Sequence, residues 1–151
     1  PVEFAVRDTR GGVVHVGDLR GEPLVLFFFA TFDATSQAQL VPMTRLSRDV
    51  RVVGVAAQPE GYALVQAWAS ALSVPFTVGV DAEGMLQRDD SPLGAIGSVP
   101  TTVILDSLGR VVGRRNGFIG EPALRDLLAR AERSAPPMER SAPPLIGRSR
   151  R

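Results

Sequence analysis

The chain has 151 residues, of which 44% are hydrophobic and 22% are charged, as expected of one globular domain that buries a substantial core. It contains no cysteine, which excludes disulfide bonds, thiolate catalysis and cysteine-ligated metal sites. Residues 1–132, the body of the chain, hold 12 arginines against 15 acidic residues, so the positive formal net charge of +1 comes from residues 133–151. We therefore expect no nucleic-acid-binding face on the body.

Three strands are predicted near the N-terminus. The segments "EFAVRD" (3–8) and "VVHVGDL" (13–19) are short strands around a turn at Gly11 and Gly12, which together form an N-terminal β-hairpin. The segment "PLVLFFFA" (23–30) is apolar at every position, which is typical of a central strand covered on both faces. It is too short to span a bilayer, so we expect no membrane insertion by it.

Two helices are predicted by apolar residues that recur at helical spacing, separated by the strand "VRVVGVAA" (50–57). We expect Pro42 to bend the first helix. We interpret the apolar stripe of the second helix as part of the core rather than as a cofactor site. The stripes consist of Leu40, Met43 and Leu46 in the first helix and of Leu64, Trp68 and Leu72 in the second.

The C-terminal part of the body predicts a strand, a hairpin and a last helix. The strand is "FTVGVD" (76–81), and the hairpin joins residues 99–106 to 110–117 through a turn at Gly109. The helix begins at about Glu121 and turns three leucines inward, Leu124, Leu127 and Leu128. This order of elements predicts an α/β fold with a central mixed β-sheet flanked by helices.

The C-terminal segment repeats a seven-residue unit, "ERSAPPM" and then "ERSAPPL". Paired prolines disfavour helix and favour extended polyproline II, and few of these residues suit a core. We therefore divide the chain into a folded domain, residues 1–132, and a flexible Pro/Arg-rich tail, residues 133–151. The alternative is that the tail is a proline-motif ligand or a basic arm for an acidic surface.

Two motifs give the body its resemblance to a known family. "GSVPTTVILDSLGRVVGR" (97–114) is similar to the G-V-P-T-T-x-x-I-D-x-x-G pattern of thioredoxin-like redoxins, and "FFFATFDATSQ" (27–37) is similar to F-W-A-T-W-C-x-x-C-R. The chain thus resembles the TlpA-like and AhpC/TSA redoxins from about Glu3 to Ala131. The resemblance implies a thioredoxin-like fold and a cis peptide bond between Val99 and Pro100.

The same resemblance shows which catalytic groups are missing. It places Phe32 at the family's tryptophan, Asp33 at the first cysteine and Ser36 at the second. A buried acid is replaced by Phe27, and a glutamate by Gln39. In an alignment to peroxiredoxins, Ser36 occupies the position of the peroxidatic cysteine, and Pro100 occupies the position of an arginine that helps to activate the thiolate. The proline at this position favours the TlpA-like branch.

No residue is predicted to be catalytic. A serine hydroxyl is a weak nucleophile without an adjacent base, and the only histidine, His15, belongs to a strand away from the motif. One histidine and scattered carboxylates are a poor metal-ligand set, so no metal or cofactor is expected, and Asp89 and Asp90 suit a solvated loop. We expect Asp33 to cap a helix, with a capping box of Ser36 and Gln39 as the alternative.

These observations favour a redox-inactive module that binds a polypeptide partner through the groove beside the cis-proline. The expected binding residues are Phe32, Asp33, Thr35, Ser36, Val99 and Pro100. The alternatives are a structural domain that self-associates and a redoxin relative with residual or partner-assisted activity. The family resemblance implies a bacterial protein, commonly exported, but the sequence leaves open the compartment and whether a signal or anchor precedes Pro1.

Overall fold

The computed structural model describes residues 1–57, 61–88 and 90–133, with the backbone but not the side chain of residue 87. Within these ranges the chain forms one seven-stranded sheet and three α-helices, none of them both long and apolar enough to cross a membrane. The elements are β1 (Ala5–Asp8), β2 (Val13–His15), β3 (Leu24–Phe29), α1 (Ala34–Leu46), β4 (Arg51–Ala56), α2 (Tyr62–Ala71), β5 (Thr77–Asp81), β6 (Thr101–Leu105), β7 (Val111–Asn116) and α3 (Glu121–Arg133). Residues 134–151, nearly all of the predicted tail, and Asp89 lie outside the described residues.

The sheet has the strand order β2-β1-β5-β4-β3-β6-β7. Strands β3, β4 and β5 are parallel to one another, and the remaining pairs are antiparallel. All six residues of β3 are buried, because this strand is covered on both faces, as its unbroken apolar run predicts. The predicted α/β fold, a mixed sheet flanked by helices with an N-terminal β-hairpin, is confirmed.

One face of the sheet is covered by the three helices. Phe27 and Phe29 of β3 point to this face with ring centroids 5.4 Å apart, and Phe29 stacks on Trp68 of α2 at 4.5 Å. Complete burial of such an aromatic side chain stabilises the fold by roughly 1.5–3 kcal/mol. The helices bury Leu40, Met43 and Leu46 from α1, Val65 from α2 and Leu124 and Leu128 from α3 against it.

The opposite face has no α-helix over it in the described part of the chain. Leu26 and Phe28 of β3 pack there against irregular segments. These are the N-terminal residues, a 3-10 turn at Val16–Leu19, and the connection from β5 to β6, which contains a second 3-10 turn at Met85–Gln87. The side chains they bury include Val2, Phe4, Val16, Leu86 and Leu93.

The structure corrects two of the predictions from sequence. The second strand ends at His15, since Val16 turns into the core beneath the sheet and the chain forms a 3-10 turn rather than continuing the ladder. The predicted core stripe of α2 was wrong for two of its three residues, because Leu64 is 55% exposed and Leu72 is 37% exposed, whereas Trp68 packs on the core. The helix instead buries Val65.

The hairpin of β6 and β7 is confirmed, and a buried carboxylate organises its turn. Asp106 Oδ1 accepts hydrogen bonds from the backbone N–H groups of Leu108 (2.9 Å) and Arg110 (3.0 Å), and Oδ2 accepts from Arg110 Nε (2.8 Å). Burial acts to raise the pKa of Asp106, but the hydrogen bonds from Arg110 and Leu108 outweigh it and hold the pKa below its usual value. Gly109 closes the turn with a φ of 85°, a conformation that favours glycine.

We predict that Asp106→Asn lowers the free energy of unfolding by about 1.5–3 kcal/mol near neutral pH, because the variant loses charge-assisted hydrogen bonds to a buried group. The folded-state pKa of Asp106 lies below the unfolded value, so the stabilisation is present above the unfolded pKa. It is lost as the pH falls through the folded pKa, and the difference between the two proteins should shrink there. Urea denaturation at a series of pH values measures it.

Asp126→Asn is the matched control, because this exposed carboxylate on α3 has, within the described residues, one ion pair of 3.8 Å with Arg130. Its effect should stay within roughly 0.5 kcal/mol at every pH. A destabilisation by Asp106→Asn that is equal at acidic and neutral pH would show that the charge of Asp106 is not what stabilises the turn.

Candidate functional site

The candidate site lies where β3 ends and β6 begins. The two strands are antiparallel neighbours, and Phe28 pairs with Thr101 in their register. Because the end of one strand meets the start of the other, residues 30–33 and 98–100 come together at one edge of the sheet. Helix α1 begins at this same edge with Ala34.

Asp33 caps the start of α1, as predicted. Its backbone is extended, and its Oδ2 accepts a hydrogen bond of 2.8 Å from the N–H of Ser36. Such a cap stabilises a helix by about 1 kcal/mol relative to alanine. Within the part of the chain that the structure describes, Oδ1 of Asp33 has no hydrogen-bond or ion-pair partner. The alternative capping box of Ser36 and Gln39 is not formed.

Ser36 supports the strand–helix junction from inside. Its side chain is fully buried, and Oγ accepts a hydrogen bond of 3.2 Å from the N–H of Ala30. The N–H of Asp33 donates to the carbonyl of Ala30 at 3.2 Å. Both backbone groups of Ala30 are therefore hydrogen-bonded within the turn between β3 and α1. Ser36 therefore lies beneath the surface that is formed by Phe32 and Thr35.

Gln39 joins α1 to the loop before α3. Its Nε2 donates to the carbonyl of Ile119 at 2.9 Å, and its Oε1 accepts from the N–H of Ile119 at 2.9 Å. The side chain is fully buried, so both polar atoms of the amide are satisfied inside the protein. A carboxylate at this position would have no proton to donate to the carbonyl of Ile119.

The other predicted binding residues differ in their exposure. Phe32 is 72% exposed and Thr35 is exposed, whereas Asp33 and Val99 are half-buried. Pro100 is buried, and the Val99–Pro100 peptide bond is cis, as the resemblance implied.

The backbone around Val99 is held on both sides. The hydroxyl of Thr101 donates to the carbonyl of Ser98 at 2.7 Å, and the N–H of Gly117 donates to the carbonyl of Pro100 at 2.8 Å. Among the described residues, the N–H and C=O of Val99 itself have no hydrogen-bond partner. A fixed backbone donor and acceptor are thus left available next to Phe32.

One further exposed aromatic residue lies beside the site. Phe118, 52% exposed, follows Gly117, whose N–H binds Pro100, and it lines a groove of about 400 Å³ between α1 and the start of α3. Val41, Pro42 and Pro122 are among the other lining residues. Sequence reasoning missed Phe118, although the hairpin register that pairs Thr101 with Asn116 brings it to this edge.

His15 lies far from the site. It is on β2, the outermost strand, and β3 is four positions further along the sheet. At about 4.8 Å between neighbouring strands the separation is roughly 19 Å. Over residues 1–57, 61–88 and 90–133, no three His, Asp or Glu side chains are grouped so that they could hold a metal ion.

Comparisons with known proteins agree with this architecture. The model of the AhpC/TSA family matches residues 2–114, while no curated protein sequence matches the chain. Similar solved structures include StoA from Bacillus subtilis, which is 17% identical with a TM-score of 0.68, covering 85% of this chain and 97% of its own. The exposed lipoprotein thioredoxin Etrx1 from Streptococcus pneumoniae is 21% identical with a TM-score of 0.71, covering 85% and 99%.

A third similar structure is a thiol-disulfide isomerase from Corynebacterium glutamicum, which is 18% identical with a TM-score of 0.70, covering 89% of this chain and 97% of its own. At these identities the three structures establish the fold alone, and that fold is thioredoxin-like. The chain therefore combines a thioredoxin-like fold with the absence of cysteine.

We predict that Gln39→Glu destabilises the protein by roughly 2–4 kcal/mol near neutral pH, because a buried carboxylate would face the carbonyl of Ile119. Burial raises the pKa of the introduced carboxyl group above its unfolded value of about 4.3. The loss should therefore be small below the unfolded pKa and grow as the pH rises through the folded one. Thermal or urea denaturation across this range measures it.

Gln39→Met is the control, because it keeps the side-chain length and removes both hydrogen bonds without introducing a titrating group. Its destabilisation should be independent of pH. A Gln39→Glu variant as stable as the natural protein under mildly alkaline conditions would contradict the role assigned to the amide.

Proposed function

The chain belongs to the AhpC/TSA family and lacks every cysteine, and from this premise we propose that it is a redox-inactive thioredoxin-like domain that binds a polypeptide partner. The partner would lie in an extended conformation across the edge where β3 ends and β6 begins. The observation that carries the proposal is the exposed side chain of Phe32 at the same end of the sheet as the N–H and C=O of Val99, which have no partner among the described residues.

The absence of cysteine supports the redox-inactive part of the proposal. Thiol–disulfide exchange and peroxide reduction both require a thiolate, and a hydroxyl does not replace it without a base. Ser36 is buried with its Oγ bonded to the N–H of Ala30, and His15 is on a distant strand. Asp33 uses one carboxylate oxygen to cap α1.

The backbone of Val99 supports the binding part of the proposal. An extended peptide that pairs with its N–H and C=O would form strand-like hydrogen bonds, a general mode of recognition that needs no side-chain chemistry. Phe32 and Thr35 would then contact the peptide directly. Ser36 and Pro100 are buried, so they would shape the groove from beneath rather than contact the ligand. Asp33 and Val99 are half-buried, between these exposed and buried residues.

Self-association is a second candidate function, favoured by the groove between α1 and α3. Val41 and Phe118 are both more than half exposed there, and the groove holds about 400 Å³. Apolar side chains grouped in this way are common where protein surfaces meet.

We predict that Val99→Arg abolishes capture of the polypeptide partner in a quantitative pull-down from a lysate of the cells that make the protein. The long charged side chain of the arginine would obstruct pairing of the peptide with the backbone beside Pro100. Val99 also packs partly against the core beneath the sheet, so the variant must first be shown to be folded. Phe32→Ser is the second variant, because removing a side chain that is 72% exposed leaves the core intact.

Val111→Arg is the matched control, since Val111 is an exposed apolar residue at the opposite edge of the sheet. A polypeptide captured by the natural chain and by Val111→Arg, but lost with Val99→Arg and Phe32→Ser, would support the proposal. Equal capture by all four proteins would contradict it. Capture of the chain's own copies alone, together with an oligomer in light scattering, would establish self-association instead.

A further inference from the structure

We propose that Asp33 selects a lysine or arginine side chain of the bound polypeptide, and this inference rests on the proposed function. The carboxylate takes the place that the family gives to its first cysteine. An ion pair with the ligand would thereby replace the covalent bond to the ligand that a cysteine can form. The ligand is an extended segment that carries a basic residue opposite Asp33.

The first support is the state of the Asp33 carboxylate. Oδ2 is used by the N–H of Ser36, whereas Oδ1 has no partner among the described residues. The residue is half-buried at the start of α1, so its carboxylate is partly accessible at the end of the sheet where the peptide would lie. A second oxygen that accepts nothing from the protein is available to a donor on a ligand.

The second support is the absence of a cation from the protein itself at this position. In the ranges that the structure describes, no arginine forms an ion pair with Asp33. Arg45, further along α1, pairs with Glu121 at 3.7 Å, and Arg114 donates to the carbonyls of Leu93 and Ala95. The negative charge of Asp33 is therefore left for a partner to complement.

The third support is the aromatic ring next to the carboxylate. Lysine and arginine bury their aliphatic stems against apolar surfaces while their charged ends stay in contact with water or an anion. Phe32 offers an exposed ring for such a stem, and arginine in addition stacks on aromatic faces. An aromatic ring and a carboxylate on consecutive residues thus match the two ends of a basic side chain.

A helix cap alone would not need this charge. Asparagine caps a helix about as well as aspartate, so Asp33→Asn keeps the hydrogen bond to Ser36 and removes only the negative charge. Glu22→Gln is the matched control, because it removes one exposed carboxylate just before β3, at the opposite edge of the sheet. The two variants have the same net charge.

The test is selection of a displayed library of random peptides on the full chain, followed by affinity measurements on the selected peptides. We expect the peptides to share a lysine or arginine, and their affinity for Asp33→Asn to be roughly threefold to tenfold weaker. Added salt should weaken binding to the natural chain more than to Asp33→Asn, because only the natural chain forms the ion pair. Glu22→Gln should bind like the natural chain.

The outcomes separate this inference from the proposed function. Peptides that bind Asp33→Asn and the natural chain equally, yet are lost with Phe32→Ser, would overturn the selection by Asp33 and leave the groove in place. Peptides that bind irrespective of Phe32→Ser and Val99→Arg would overturn both. A library from which nothing is selected would also overturn both.

Discussion

The junction between β3 and α1 depends on the hydrogen bond from the N–H of Ser36 to the carboxylate of Asp33. A buried strand that runs directly into a helix leaves backbone donors at the helix start, and these need partners. Asp33 satisfies one of them, and Ser36 in turn accepts from the N–H of Ala30. In the turn that these hydrogen bonds close, Phe32 is exposed. The segment that resembles a reactive centre is thus held by its own hydrogen bonds, and among the described residues only Oδ2 of the Asp33 carboxylate is used in them.

Replacement of the chemistry extends beyond the two cysteine positions. The positions that the resemblance assigns to a buried acid and a glutamate hold Phe27 and Gln39, and both are fully buried. Phe27 joins the aromatic cluster on the helical face, and Gln39 binds both backbone groups of Ile119. Neither substitution leaves a buried charge, whose burial would cost several kcal/mol unless it were paired. At these two positions the interior therefore holds no titratable side chain.

Much of this structure could be predicted from local patterns. The run of β3, the turn at Gly109 and the cap at Asp33 each depend on residues close in sequence. The stripe of Leu64, Trp68 and Leu72 was only partly correct, because α2 packs through Val65, Trp68 and Ala69, whereas Leu64 and Leu72 are exposed. The Gln39–Ile119 pairing spans 80 residues, so no local pattern contains it. Phe118 was missed for the same reason, since only the register of β6 and β7 brings it beside Pro100.

The proposed function requires that the end of the sheet beside Val99 binds a polypeptide. The most direct measurement replaces Phe32 with a photo-crosslinking phenylalanine analogue in the cells that make the protein. Leu108, exposed in the turn at the opposite edge, provides the control position. We expect a crosslinked polypeptide when the analogue is at position 32 and none when it is at position 108. The product from position 32 should disappear when Val99→Arg is added. Equal adducts from both positions, or none from position 32, would contradict it.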